Sequence, residues 1–295
     1  KNDKHLSQWR YSVEVDAVKL RRLPVDQITV DHVVGVLKPI WLKKPETAKR
    51  CQGRIARILD AAKAAKLRQG ENPAAWKGNL ESLLPKQPKL VQGHHPAMAI
   101  ELLASFLTAL RKRPATAARA LEFTILTAAR TSETLGARWA EIDLEKKVWT
   151  VPSDRMKTGV QHRVPLTKDA IKVLDRGRQE ATLISGREPL PNDFVFPRGS
   201  PTERLSNMAM SMLLRRMGVK DASVHGFRST FRDWAGQETE FPRELAELSL
   251  AHLVGNEVER AYSRGDALDR RRIVMDAWAE FCGVEQTDVD AAAAA

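Results

Sequence analysis

HGFRSTFRDW (225–234) and LAHLVGNEVERAYSR (250–264) bound the stretch on which the reading of this chain turns. Between them lie two of the seven histidines and, at Tyr262, one of only two tyrosines. Phe227, Phe231 and Trp234 recur at helical spacing and predict a helix with one apolar face. His225 opens that helix and Arg228 follows three residues later, so both side chains can point at one site. PRELAELSLAH (242–252) predicts a second helix, with His252 at or just past its end. Gly255 and Asn256 make a break, after which EVERAYSR resumes as helix. A lone tyrosine is most often a packing residue. Tyr262 instead sits between Arg260 and Arg264, as an oxygen nucleophile aimed at a phosphate would.

Upstream, MAIELLASFLTALRKR (98–113) carries a helical stripe of Ala99, Leu102, Leu103, Phe106, Leu107 and Leu110. TAARALEFTILTAAR (116–130) is apolar nearly all round, which predicts a buried helix closed by Arg130. An arginine there needs an acid partner or an anionic ligand, and Glu133 can orient it. The one strong β signal is the pair VWTV and HRVPL around a polar tip holding Lys157 and Gly159. Lys157 projects from that hairpin turn, as an ordinary exposed lysine also would. TKDAIKVLDRGRQE predicts a helix capped by Thr167, DFVFP a short buried strand, and SNMAMSMLLRRMG a helix capped by Ser206, stopped by Gly218 and using its methionines as core filler. DRRRIVMDAWAEF closes the chain's regular structure as an amphipathic helix anchored by Ile273, Trp278 and Phe281.

Residues 1–85 read as all-helical, with Asp31 as an N-cap and Ile55, Ile58, Leu59 and Ala62 as the apolar stripe of a long third helix. Lys49, Arg50, Arg54, Arg57, Lys63 and Lys66 make its other side basic. That side is either a solvated face or a contact to nucleic-acid phosphates, with Arg50, Arg54 and Arg57 as the contacts. A proline-rich, aperiodic stretch containing His94 and His95 reads as a linker. The expected organisation is a helical domain at 1–85, a linker at 86–97, a mixed α+β domain at 98–282 and a tail at 283–295. The fold class is mainly α with a small β-hairpin or sheet.

With 295 residues and 43% hydrophobic content, the chain can bury real cores. Its formal charge of +11 favours a polyanionic partner. Cys51 and Cys282 make neither a disulfide framework nor a metal pattern, which fits a reducing cytoplasm. No run of 18 apolar residues occurs, so no membrane partner is expected. Phosphate-binding loops and zinc signatures are absent, so neither ATP, metal nor another cofactor is expected. The first residues are KNDKH rather than Met, which suggests a fragment or a processed form.

Arg130, Lys157, His225, Arg228, His252 and Tyr262 together form a metal-free phosphoryl-transfer set. Two arginines can clamp non-bridging phosphate oxygens and offset transition-state charge. A lysine or histidine can protonate a leaving 5′ oxygen, and a tyrosine hydroxyl, with a free pKa of about 10, can attack once activated. In this order, through TAARTSETLGARW, MKTGVQHRVPLT, HGFRSTFRDW and LAHLVGNEVERAYSR, the chain resembles the tyrosine recombinases, more narrowly the prophage and genomic-island integrases. The resemblance implies that Arg130 and Arg228 bind phosphate, Lys157 is the general acid and His225 has an acid–base and phosphate-binding role. It also implies that His252 contacts the phosphate, that Tyr262 forms a 3′-phosphotyrosyl link and that Glu133 supports Arg130. Residues 1–85 then correspond to a core-type DNA-binding domain, while the arm-binding domain usual in such integrases is missing. Implied partners are double-stranded DNA attachment sites, a homotetramer on DNA from a free monomer, DNA-bending accessory proteins and an excision factor, all in the bacterial nucleoid. A type IB topoisomerase and a DNA-binding protein with a relict site are the competing readings. The last helix is open to packing in cis or on a neighbouring protomer.

Overall fold

α1 (Asp3–Tyr11), α2 (Val30–Trp41) and α3 (Pro45–Ala64) build the first of two units, which together divide the chain at Gln92–Gly93. The computed structural model describes residues 3–87, 96–255 and 265–283. The predicted linker histidines and the segment carrying Tyr262 therefore lie outside the described residues. α2 begins earlier than Asp31 suggests. Thr29 is extended and its Oγ1 accepts from the backbone N–H of His32, so Asp31 is already inside the first turn. α3 buries Ala48, Cys51, Ile55 and Leu59 in one cluster with Leu37 and Trp41, and Ala62 is buried as well, whereas Ile58 lies off that face and is exposed. Trp41 stacks on Trp76 at 5.4 Å and donates Nε1–H to Pro85 O at 2.7 Å, tying the end of the described segment to the helices.

The second unit is built around α5 (Thr116–Leu126), which is buried from Ala118 to Leu126. It packs against α4 (Leu103–Arg111), α7 (Lys168–Ser185) and α8 (Ala209–Arg216). α4 starts one residue after Leu102, which lies in a 3-10 turn and is exposed rather than part of the stripe. Thr167 caps α7 as predicted, accepting from Ala170 N–H at 3.2 Å. Ser206 does not cap α8. Its carbonyl accepts from Ala209 N–H in a preceding turn, and the helix starts at Ala209. On that helix Met210 fills the core while Met212 is exposed, as is Met208 just before it.

VWTV and HRVPL do form a hairpin. β2 (Val148–Val151) pairs with β3 (His162–Pro165), Trp149 opposite Val164 and Val151 opposite His162. A two-residue β1 (Ile142–Asp143) extends the antiparallel sheet to three strands in the order β1-β2-β3. A two-residue strand is too short to leave a period-2 pattern. In DFVFP, Val195 and Phe196 are buried, and β4 (Pro197–Arg198) turns back onto β5 (Ser200–Arg204).

α9 (Gly226–Gln237) buries Phe227, Phe231 and Trp234. Gly226 is required there, because a Cβ would stand 1.9 Å from Pro96 O. α10 (Arg243–Ser249) follows, and α11 (Leu268–Gly283) packs back onto α10, β3 and α4 of its own chain. α11 buries Arg271, Val274, Met275, Trp278 and Cys282, leaving Ile273 on the outside at 63% exposure. Trp278 fills the predicted anchor position against Phe231 and Trp234, and donates Nε1–H to Ile125 O at 2.9 Å.

Candidate active site

Arg130 does not close α5. The helix ends at Leu126, Ala128 takes a left-handed φ of 49°, and Arg130 is extended at the start of α6 (Thr131–Leu135). From there its backbone N–H donates to Glu133 Oε2 at 2.9 Å and its Nη1 to Glu133 Oε1 at 2.7 Å. Glu133 is buried, so this carboxylate fixes the guanidinium at the α6 N-terminus. Arg155, in the turn that follows β2, donates to Glu133 O and pairs with Glu141, joining the hairpin to α6.

Arg228 reaches the same place from α9. Its Nη1 donates to Ala128 O, and its Nη2 to Leu250 O at 2.6 Å. Arg130 Nη2 approaches Leu250 O at 3.4 Å and Ala251 O at 3.3 Å. Ala251, like Ala128, has a left-handed φ, here 51°. An alanine in that region costs about 1 kcal/mol, and here each turns its carbonyl toward an arginine. Neither alanine was singled out from sequence, since nothing in a side chain this small marks the backbone conformation it will adopt.

Arg228 is only 6% exposed and, among the described residues, pairs with no carboxylate. Burial, with the nearby Arg130 charge, pulls its pKa down to about 10. His252 Nε2 lies 3.2 Å from Arg228 Nη2, and His252 Nδ1 lies 2.5 Å from Glu247 Oε2. Glu247 also pairs with Arg232 at 2.9 Å and more loosely with Arg243 at 3.8 Å. Burial alone would raise the Glu247 pKa, but the His252 hydrogen bond and the Arg232 charge hold it below the usual carboxylate value. Arg130, Glu133, Arg228 and His252 thus converge, with Glu247 as a fifth member that sequence spacing did not reveal. Its link to His252 crosses a helix end, where helical periodicity no longer applies.

Lys157 stands exposed at the hairpin turn. Its neighbours Met156 and Thr158 line an open groove of about 290 Å³, shared among the described residues with His162, His252, Asp266 and Arg271. His225 is exposed at the start of α9, one turn from Arg228. Arg271, buried on α11, donates to Arg163 O at 2.7 Å and Asp266 Oδ2 at 3.0 Å, while Arg163 forms a two-pronged pair with Asp266. In the first unit, Arg54 donates to Gln8 O at 2.6 Å and lies over the Trp9 ring, Arg50 pairs with Glu46, and Arg57 is exposed.

His162 went unnoticed in sequence because it reads as an ordinary strand residue. Burial, with Arg271 and Arg130 nearby, pulls its pKa from 6.5 to about 4 against the opposing pull of Glu133 and Asp266. The neutral ring is therefore favoured in the fold. Its contribution is complete above the unfolded value near 6.5 and is lost as pH falls toward about 4. Urea unfolding at pH 7 and pH 4.5 should show wild type losing about 2 kcal/mol more than His162→Gln. Equal losses would remove His162 from the acid response.

The chain matches the model for the phage integrase central domain over residues 1–79 and that for the phage integrase family over residues 98–266. It is 38% identical over 159 residues to prophage integrase IntA of Escherichia coli K12, spanning 53% of this chain and 36% of that protein. It is 29% identical to prophage integrase IntZ of the same organism, over 95% of this chain and 66% of that protein. The chain thus spans between about a third and two thirds of these curated relatives. The fold is that of lambda integrase residues 75–356, solved as a dimer bound to a COC′ core site, with a TM-score of 0.63 at 18% identity over 90% of each chain. Lambda integrase solved as a tetramer bound to a Holliday junction gives a TM-score of 0.63 at 17% identity, over 88% of this chain and 72% of that one. Among the described residues no helix is long and apolar enough to cross a membrane.

Proposed function

This chain belongs to the phage integrase family, and we propose that it is a site-specific DNA recombinase that cuts and rejoins attachment-site DNA through a covalent 3′-phosphotyrosyl intermediate. The observation that carries the reading is the convergence of two guanidiniums and an imidazole, with Arg228 held by carbonyls rather than neutralised by a carboxylate. Buried positive charge left without an acid favours an anion of defined geometry. A phosphodiester fits, because paired guanidiniums bind two non-bridging oxygens and offset the charge of the transition state.

In this mechanism the Tyr262 oxygen attacks phosphorus as its proton passes to His225. The bond from phosphorus to the 5′ oxygen breaks, and Lys157 gives that oxygen a proton. The 3′-phosphotyrosyl bond conserves the energy of the broken one, so a 5′ hydroxyl from another strand can reverse the step without ATP. His225 assists proton transfer and His252 binds the phosphate. Residues 1–85 contribute backbone contacts through the basic side of α3, with Arg50 and Arg57 better disposed than Arg54, which is engaged by α1. The working assembly is a tetramer formed on DNA from free monomers, supported by bending proteins and an excision factor and acting at the nucleoid in the cytoplasm.

The test is a nicked attachment-site duplex from which the 5′ fragment diffuses away after cleavage. A protein–DNA adduct should accumulate without ATP, and digestion should yield a DNA-linked peptide containing Tyr262. An adduct at any other residue, or cleavage without an adduct, would sink the mechanism.

A further inference from the structure

We propose that Glu247 is a positioning residue that holds His252 in one tautomer, with Nδ1 protonated and the Nε2 lone pair facing the arginine cluster. An isolated imidazole can carry its proton on either nitrogen. Here both partners have a fixed hydrogen-bonding sense. Arg228 can only donate, so Nε2, 3.2 Å from its Nη2, must accept. Glu247 Oε2 lies 2.5 Å from Nδ1 and, as a carboxylate, can only accept, so Nδ1 must carry the proton. The depressed pKa of Glu247 agrees with its being ionised at neutral pH.

The groups facing this ring come from three directions. Arg228 reaches it from α9 and Glu247 from α10, and Arg130 holds the backbone at Leu250 and Ala251. That backbone is the left-handed turn leading into His252, so the ring is fixed at its Cα as well as at Nδ1. A proton arriving at Nε2 would make the ring cationic while Nδ1–H still faces Glu247. The carboxylate would stabilise that cation beside a phosphate. Removing the carboxylate that orients a metal-bound histidine typically costs about 10- to 100-fold in activity, and a comparable loss is expected for this metal-free carboxylate–histidine pair.

The functional half of this inference rests on the recombinase reading, whereas the tautomer does not. The test therefore begins without DNA, on the full chain labelled with ¹⁵N-histidine, with the His252 signals identified by their loss in His252→Gln. Wild type should show the Nδ1–H tautomer. Glu247→Ala removes the contact that holds the ring at Nδ1, so the ring can turn away from Arg228 and populate Nε2–H, and single-turnover cleavage should slow about 10- to 100-fold, with DNA affinity changed less than about threefold. Arg232→Ala, which removes the other strong partner of Glu247, should leave tautomer and cleavage as in wild type. A wild-type ring protonated at Nε2 would overturn the proposal even if the alanine variant failed to fold. So would a Glu247→Ala protein with an unchanged tautomer, or an Arg232→Ala protein as slow as Glu247→Ala. A tautomer that responds as expected in a protein that never forms a DNA adduct would instead refute the recombinase reading and leave the positioning role standing.

Discussion

Tyr262→Phe should abolish the covalent protein–DNA adduct while leaving non-covalent binding to the attachment site within about twofold of wild type. The aromatic ring survives this change, and only the oxygen is lost. A nucleophile cannot be reduced in degree by deleting its nucleophilic atom, so the expected adduct yield on a nicked duplex is below detection rather than merely low. Tyr11, the one other tyrosine, lies in the first unit as part of α1 and belongs to a different fold unit from the arginine cluster. Binding should persist because phosphate contacts by lysines and arginines dominate affinity for duplex DNA. An adduct that survives in Tyr262→Phe would show that another residue attacks.

Arg228→Ala should lower single-turnover cleavage by about a thousandfold, in line with the loss of a charged transition-state donor, yet hardly change stability. The opposing terms are both visible. Holding the guanidinium charged when burial has brought its pKa down from 12.5 to about 10 costs about 3 kcal/mol at neutral pH, well below both values. Deleting the side chain relieves that cost but leaves Ala128 O without its donor and Leu250 O with only the longer Arg130 contact, together about 2 to 3 kcal/mol. The sums nearly cancel, so thermal unfolding should shift by no more than a few degrees. A protein that lost both activity and a large part of its stability would mark Arg228 as a structural residue. The pattern expected of a binding site is the reverse, with charge kept at a cost to folding for the sake of a ligand.

Helices with a strong apolar stripe were legible in the chain because burial imposes a 3.6-residue period on them, as in α3, α9 and α7 with its Thr167 cap. The hairpin was legible from two β-branched runs around a Gly-containing turn. Misplaced boundaries share a cause. Asp31 and Ser206 are good caps by residue type, but a cap is chosen by where the backbone turns into the helix: Thr29 is the extended residue before α2, whereas α8 is entered through a turn in which Met208 is already helical. Ile273 and Leu102 are apolar enough for a core, yet each lies one step out of phase with the face that its neighbours bury.

Sequence by itself determined which chemical groups this protein has to offer. Two arginines, two histidines, a hairpin lysine and a tyrosine in a basic setting follow one another in a fixed order, and residue type dictates what each can donate, accept or attack. Tertiary structure decided which groups share a site and in what electrical state. Arg130, Arg228, Glu133 and His252 come from distant segments and meet only because α5 ends early, Ala128 and Ala251 turn left-handed, and their carbonyls receive the guanidiniums. Glu247 enters the cluster for the same reason, since the last turn of α10 and the turn after it place it against His252. Backbone conformation at an alanine and the loss of solvent around an arginine are properties of the packed chain. No pattern of letters encodes them locally, because they arise from contacts between residues 100 and 120 positions apart.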